Sequence, residues 1–307
     1  MYDARAPLAG RYRLLDEIGA GATGSVWRAW DLREGRHVAA KVLGRADDAL
    51  LQRFVREQAV RIQHPHVVAP AGWVADDERV LLTMDLVPGG SLATLLLAHP
   101  RLPEGVVAEL LDQLLQALTA VHAAGVVHRD VKPANLLLEP TGDGRPHLRL
   151  ADFGVAGFLG GSRLTRDGPI GTYGWAAPEQ ERGAPPDPRQ DLWAVGVLGR
   201  LLLTGQDPAR PAPGAVRPRG RLGPLLDALT EPDPALRPAT AAVALATLRR
   251  LGVPPPQAWP HVPDHLGPAP ALPRDPSHDR ARLLVVLACL CFVTAIVLSA
   301  AAALVAT

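Results

Sequence analysis

Residues 128–135 read His128-Arg129-Asp130-Val131-Lys132-Pro133-Ala134-Asn135, and no other stretch limits so sharply what this chain can fold into. One short loop carries a candidate base, a phosphate-binding cation and a metal ligand. Asp130 can accept the proton of a hydroxyl, Lys132 can steady a γ-phosphate, and Asn135 can hold a magnesium ion from the far end of the loop. Phosphoryl transfer needs this set, because its transition state is loose and spreads negative charge over oxygens while the nucleophile is held in line. An isolated His-Arg-Asp is as readily a solvated polar turn, and the full spacing argues against that reading.

The neighbouring motifs extend the pattern. Asp152-Phe153-Gly154 follows the apolar run Leu148 to Ala151, a short predicted strand whose end turns the Asp152 carboxylate toward magnesium on the phosphates. Ala177-Pro178-Glu179 lies beyond it, so the two motifs bracket a segment from Asp152 to Glu179. Upstream, Ile18-Gly19-Ala20-Gly21-Ala22-Thr23-Gly24-Ser25-Val26 is a glycine-rich loop between two predicted strands, Tyr12 to Ile18 and Ser25 to Trp30. Glycines let backbone N–H groups approach phosphates without Cβ clashes. A dinucleotide-binding fold uses the same glycine spacing between a strand and a helix, but here a strand continues after the loop. Val38-Ala39-Ala40-Lys41-Val42 is the next predicted strand. A lysine inside it needs an anion, which the α- and β-phosphates of ATP supply together with Glu57 on a predicted helix from Leu50 to Ile62.

On these residues the chain resembles a eukaryotic-like serine/threonine protein kinase of the bacterial type, over Arg11 to Leu251. Met84-Asp85-Leu86-Val87 resembles the hinge between the lobes, and Asp191-Leu192-Trp193 resembles the buried helix whose aspartate holds the catalytic loop. Arg237 matches the position that pairs with Glu179. The resemblance implies an α+β, two-lobed fold, with a small lobe of antiparallel strands and one helix over a mainly helical large lobe. It implies ATP with Mg2+, or Mn2+, as cofactors and proteins with serine or threonine acceptors as substrates. Val26 and Ala39 would cover one face of adenine and Leu137 the other, beside Met84, with the backbone of Asp85 to Val87 at its edge. Asn135 and Asp152 would ligate the metal. Thr172 would contact Asp130 and Lys132, and Arg129 would pair with a phosphate on Thr165 or, second, Ser162.

A chain of 307 residues that is 48% apolar can bury two cores, and its net charge of +1 disfavours a nucleic-acid binder. Residues 1–10 read as a tail and 11–251 as the catalytic domain. Prolines recur without periodic apolar positions from Val253 to Pro276, a stretch that reaches roughly 70 Å at ~3.1 Å per residue, so 252–282 reads as an extended juxtamembrane linker. Its His261, His265 and His278 read as solvated. Residues 283–306 are apolar apart from Thr294 and Ser299, long enough to cross a ~30 Å hydrocarbon core as a helix. Arg280 and Arg282 precede the span, so the positive-inside rule predicts a single-pass cell-membrane protein with a cytoplasmic kinase and an outer C-terminus. Cys289 and Cys291 fall within that span, leaving the catalytic region free of thiols. No sensor is expected beyond it, and small residues Ser299 to Ala303 raise a homodimer as a possibility.

Several features depart from the resemblance. The stretch between Glu57 and His64 is short, and Arg61 stands where an apolar residue is expected. Pro208, Pro211, Pro213 and Pro218 predict that a substrate-docking helix between Thr204 and Leu225 is shortened or missing. Arg210, Arg217, Arg219 and Arg221 crowd that segment, as loop charge or as a docking patch. Two readings other than a protein kinase stay open: a small-molecule phosphotransferase, which would not need Ala177-Pro178-Glu179, and a membrane-tethered nucleotide-binding pseudokinase scaffold.

Overall fold

The computed structural model of the protein describes residues 7–21, 24–43, 62–76, 79–152, 174–208 and 220–271. Glu57, Arg61, the segment 153–173 with Ser162, Thr165 and Thr172, and the expected span 283–306 lie outside the described residues. Among the described residues no helix is long and apolar enough to cross a membrane.

The small lobe is one antiparallel sheet in the order β1-β2-β3-β5-β4, built from β1 (Tyr12–Gly21), β2 (Gly24–Asp31), β3 (Arg36–Leu43), β4 (Pro70–Asp76) and β5 (Arg79–Met84). Period-2 alternation sorts its side chains. Tyr12, Ala29, Val38, Ala40 and Leu81 form one buried cluster. The opposite face carries the cross-strand pairs Val26 with Lys41, Arg28 with Ala39, and Ala39 with Met84. That second face roofs the cleft, so the register that buries one core also aims Val26, Ala39 and Lys41 at the site. A slip of one residue would exchange the two sets.

The large lobe is built on α1 (Leu92–Ala98), α2 (Glu104–Ala123), α3 (Pro178–Glu181), α4 (Pro188–Thr204), α5 (Gly223–Leu229) and α6 (Ala241–Arg250). In α2, Val106, Val107, Leu110, Leu111, Leu114, Leu115, Leu118 and Val121 recur at helical spacing and are fully buried. Each such side chain contributes roughly 1.5–3 kcal/mol of burial free energy, which makes this helix the axis of the lobe. Local signals set the ends of its neighbours. Ser91 and Thr94 form a capping box on α1, Asp187 accepts from the Arg189 N–H with Pro188 at the first turn of α4, and Gly205 ends α4 at φ 71°. Below the cleft, β6 (Leu136–Leu138) and β7 (Leu148–Leu150) form a two-stranded ribbon.

The compact unit does not stop at Leu251 but runs through Ala269. The expectation of a free-standing linker therefore fails for residues 252–269. Val262 is buried in the large-lobe core, Trp259 packs against that core, and Gly142 and Val262 exchange backbone hydrogen bonds of 3.0 and 2.8 Å. Prolines prevent this stretch from forming a helix or ladder of its own, but they do not prevent it from docking.

Candidate active site

The loop 128–135 is held from below by one carboxylate. Asp191 sits in the first turn of α4 and is 1% exposed. Its Oδ2 accepts from the His128 N–H at 2.8 Å and its Oδ1 from the Arg129 N–H at 2.7 Å. The His122 ring, in the last turn of α2, places Nε2 2.8 Å from the same Oδ2, while its Nδ1 is buried without a partner among the described residues. That pattern puts the ring proton on Nε2. Arg129 takes a positive φ of 64°, and these two amide bonds hold it there. His128 adds a second tie. Its Nδ1 accepts from the Asp130 N–H at 3.3 Å, so Nε2 donates to the Ala151 carbonyl at 3.0 Å, linking the loop to the residue before Asp152.

Asp130 emerges from this scaffold about one-third exposed, with Lys132 Nζ 2.8 Å from its Oδ2. Asn135 lies on the 3₁₀ turn Pro133–Asn135 and donates Nδ2 to the Asp130 backbone carbonyl at 2.7 Å and to Oδ2 at 2.9 Å. The amide thus uses its nitrogen to fix Asp130 and keeps Oδ1 as a hard oxygen donor. Across the cleft, Lys41 Nζ lies 2.6 Å from Asp152 Oδ1. The lysine side chain is 8% exposed and the carboxylate 46%, so a buried cation is matched by an anion that remains open to the cleft. Among the described residues Asp152 is the anion that Lys41 meets; the expected partner Glu57 lies outside them. Asp152 has φ 56°, a second left-handed residue at the centre of the site.

Asp152 and Asn135 offer hard oxygen ligands suited to a magnesium ion. No cluster of three or more His, Cys, Asp or Glu able to hold a metal exists among the described residues. Two protein ligands suit magnesium, and Asp152 and Asn135 are the residues that would hold it, where it would supply positive charge to bound phosphates.

Above the loop, Met84, Val87 and Leu137 pack with Val68 and Ala151 in one small apolar cluster at the turn between the lobes. Val26 and Ala39 lie on the roof face already described. Asp85 turns its side chain away from that cluster, meeting Arg149 of β7 at 2.9 Å and Arg36 of β3 at 3.4 Å, so both lobes grip the hinge through one carboxylate. At the glycine-rich hairpin, Gly21 pairs with Gly24, and Ala22 and Thr23 at the tip lie outside the described residues. Gly24 has φ 141°, and a Cβ there would stand 2.1 Å from the Val42 carbonyl oxygen, so only glycine fits.

The far end of the bracketed segment is anchored by Arg237. Its side chain is fully buried, forks onto Glu179 at 2.6 and 2.9 Å, donates to the Glu231 and Arg189 carbonyls, and stacks 5.0 Å from the Trp193 ring centre. Gln180, next to Glu179, donates to the Arg129 carbonyl at 3.0 Å and so joins this anchor to the catalytic loop. Arg129 itself is half-buried, its Nε without a partner among the described residues. Burial lowers its guanidinium from the usual value, and Asp191 opposes that shift.

His122, Gln180 and Arg149 were not singled out from sequence, since each acts through a partner distant along the chain. Of the four arginines expected to crowd 204–225, Arg221 is engaged, donating to the Gly252 carbonyl at 2.6 Å; the other three lie outside the described residues. His261 and His265 are exposed, as the sequence suggests, but each also touches the large lobe: His261 meets Asp143 at 2.8 Å and His265 rests against Gly90.

Residues 12–217 match the family described as protein kinase domain, which is more than half of the chain. Among curated proteins the chain is 39% identical over 219 residues to serine/threonine-protein kinase PkaA of Streptomyces coelicolor, covering 66% of this chain and 40% of that one. It is 38% identical over 209 residues to PknL of Mycobacterium tuberculosis, covering 66% and 51%, and 36% identical over 242 residues to PknA of the same organism, covering 75% and 54%. The chain therefore spans about half the length of the curated relatives it matches.

Proposed function

The chain belongs to the protein kinase domain family, and from that premise we propose that it transfers the γ-phosphoryl group of Mg·ATP to serine or threonine hydroxyls of proteins, its own included. The observation that carries this reading is the Asp130 carboxylate, fixed by Asn135 and Lys132 and facing a cleft whose other wall presents Lys41 and Asp152. Asp130 orients the acceptor hydroxyl and takes its proton as the oxygen attacks phosphorus. Lys132 neutralises the γ-phosphoryl oxygens, and Lys41 moves its charge toward the α- and β-phosphates. Asp152 and Asn135 would hold a divalent metal, which would supply further positive charge to the phosphates. The apolar cluster of Met84, Val87 and Leu137, under Val26 and Ala39, receives adenine.

Three finer readings belong to the same proposal. Phosphate on Thr165, or secondarily Ser162, meets the half-buried Arg129 and orders the segment 152–179. Residues 283–306 anchor the protein in the cell membrane with the kinase on the cytoplasmic side, supported by their apolar run and by Arg280 and Arg282 before it. Two anchors pairing through Ser299 to Ala303 would give a homodimer. The pseudokinase alternative loses ground because Lys41, Asp130, Asn135 and Asp152 are all present.

The test is incubation of the full chain with γ-labelled Mg·ATP and a basic protein acceptor, followed by phosphosite mapping. Label on serine or threonine that is absent with Lys41→Met supports the reading. Nucleotide binding with no transfer, in wild type as in Lys41→Met, would hand the chain to the pseudokinase alternative.

A further inference from the structure

The proline-rich stretch 253–269 has no helix or strand of its own, yet its contacts from Pro254 to Gly267 trace a course over both lobes. It begins over α2, where the backbone of Pro254 to Pro256 lies so close to Gly105 that a Cβ there would stand 2.5 Å from the Pro254 carbonyl oxygen. Val262, 1% exposed, then pins it to the large lobe through the paired hydrogen bonds with Gly142. Next it reaches the hinge. The His265 N–H donates to the Pro88 carbonyl at 2.9 Å, and the His265 ring lies against Gly90, where a Cβ would come within 2.8 Å of Cδ2. Asp264 Oδ1 accepts from the N–H groups of Leu266 and Gly267 at 2.8 and 3.0 Å, forming a turn that presents the Gly267 carbonyl upward. That carbonyl accepts from Arg28 on β2 of the small lobe at 3.0 Å, while the rest of the Arg28 guanidinium forks onto Asp16 of β1.

Each docking point past Gly142 adjoins one wall of the cleft. Arg28 shares its strand face with Val26, one strand repeat away. Pro88 follows Val87. The Gly90 carbonyl accepts from the Leu138 N–H at 2.9 Å, next to Leu137. A segment that bonds large lobe, hinge and small lobe in succession limits their relative rotation, and the adenine pocket is formed only when roof, hinge and floor stand at one spacing.

We propose that residues 261–267 form an intramolecular clasp across the hinge that sets the opening of the nucleotide cleft, with His265 and Gly267 as positioning residues for adenine-nucleotide binding. The inference rests on the kinase reading. The clasp acts on nucleotide affinity rather than on the chemical step, because the catalytic loop is held by Asp191 within the large lobe. Opening the clasp removes pre-organisation that the nucleotide must then restore.

The test uses the full chain carrying His265→Pro, which deletes the donor to Pro88, or Asp264→Ala, which deletes the acceptor of an exposed turn and leaves every core contact in place. His265→Ala keeps the backbone N–H and serves as the conservative variant. Mg·ADP binding is measured by calorimetry, and KM for ATP and kcat by phosphate transfer, with thermal melting alongside. The expected result is a rise of about 3- to 10-fold in the Mg·ADP Kd and in KM for ATP for His265→Pro and Asp264→Ala, the scale of one backbone hydrogen bond. kcat at saturating ATP stays within about twofold, and His265→Ala lies nearer wild type than His265→Pro. Unchanged KM in folded Asp264→Ala and His265→Pro, or a fall in kcat with KM constant, overturns the clasp while leaving the kinase reading intact. A wild-type chain that binds no Mg·ADP overturns both.

Discussion

Replacing Asp191 by asparagine changes only one atom's chemistry yet should damage both stability and rate. The carboxylate is 1% exposed and accepts three hydrogen bonds, from the His128 and Arg129 amides and from His122. An amide in its place removes the charge from all three and turns one acceptor into a donor facing a donor. With the amide nitrogen toward Arg129, one N–H is left buried and unpaired at about 1–3 kcal/mol, and the two surviving bonds lose roughly half of the 1.5–3 kcal/mol typical of bonds to charged groups. The sum is about 2.5–6 kcal/mol, a range that includes the 3–5 kcal/mol typical of breaking a buried ion pair. The reverse amide orientation strands the His128 and His122 donors instead and is no cheaper. Because Arg129 is held at positive φ by these bonds and Asp130 follows it, a shift of about 1 Å at Asp130 should lower kcat by about 100-fold. Urea unfolding gives the first quantity and steady-state phosphate transfer the second. A stability loss under about 1 kcal/mol together with kcat within about threefold of wild type would refute the role given to Asp191.

Other perturbations have equally specific outcomes. Arg237→Lys cannot reproduce the fork onto Glu179 or the stacking on Trp193, and should destabilise the large lobe by about 2–4 kcal/mol, read as a lowered melting temperature. Gly24→Ala brings a Cβ against the Val42 carbonyl at a strained φ; the hairpin must move, so KM for ATP should rise while Mg2+-independent properties such as urea stability fall by only about 1–3 kcal/mol. Burial holds His64 and His66 below the usual histidine value, with the Leu148 carbonyl partly opposing the shift at His66. The unfolded chain then takes up protons that the native state refuses, so stability is fully present above about pH 6.5 and is lost as pH falls through the depressed native values. Urea midpoints should therefore drop between about pH 7 and pH 5, and less steeply in His66→Gln; equal slopes would remove His66 from the account.

The loop 128–135 and the Asp152 motif stand out in the sequence because their residues are adjacent and their chemistry demands fixed types at fixed spacing, whereas the hinge was named through the family resemblance. Arg237 and Glu179, 58 positions apart, were legible only through the family resemblance. The supports that sequence did not reveal, His122, Gln180 and Arg149, act through partners on other elements and carry no local signature. The course of 253–269 was misread for a physical reason. Prolines erase the periodicity by which buried segments are recognised, and the apolar contacts of Trp259 and Val262 are too few to restore it. Arg221 is exposed, as its place among loop charges suggests, and its bond to the Gly252 carbonyl had no signature in the sequence.

The most direct measurement compares Asp130→Asn with wild type in Mg·ATP binding and in phosphate transfer on the same preparations. If Asp130 handles the hydroxyl proton while Lys41, Asp152 and Asn135 hold the nucleotide and its metal, binding stays within about threefold and transfer falls by about 100- to 10,000-fold. Transfer that survives the substitution, or binding that disappears with it, would contradict the assignment of roles on which the account stands.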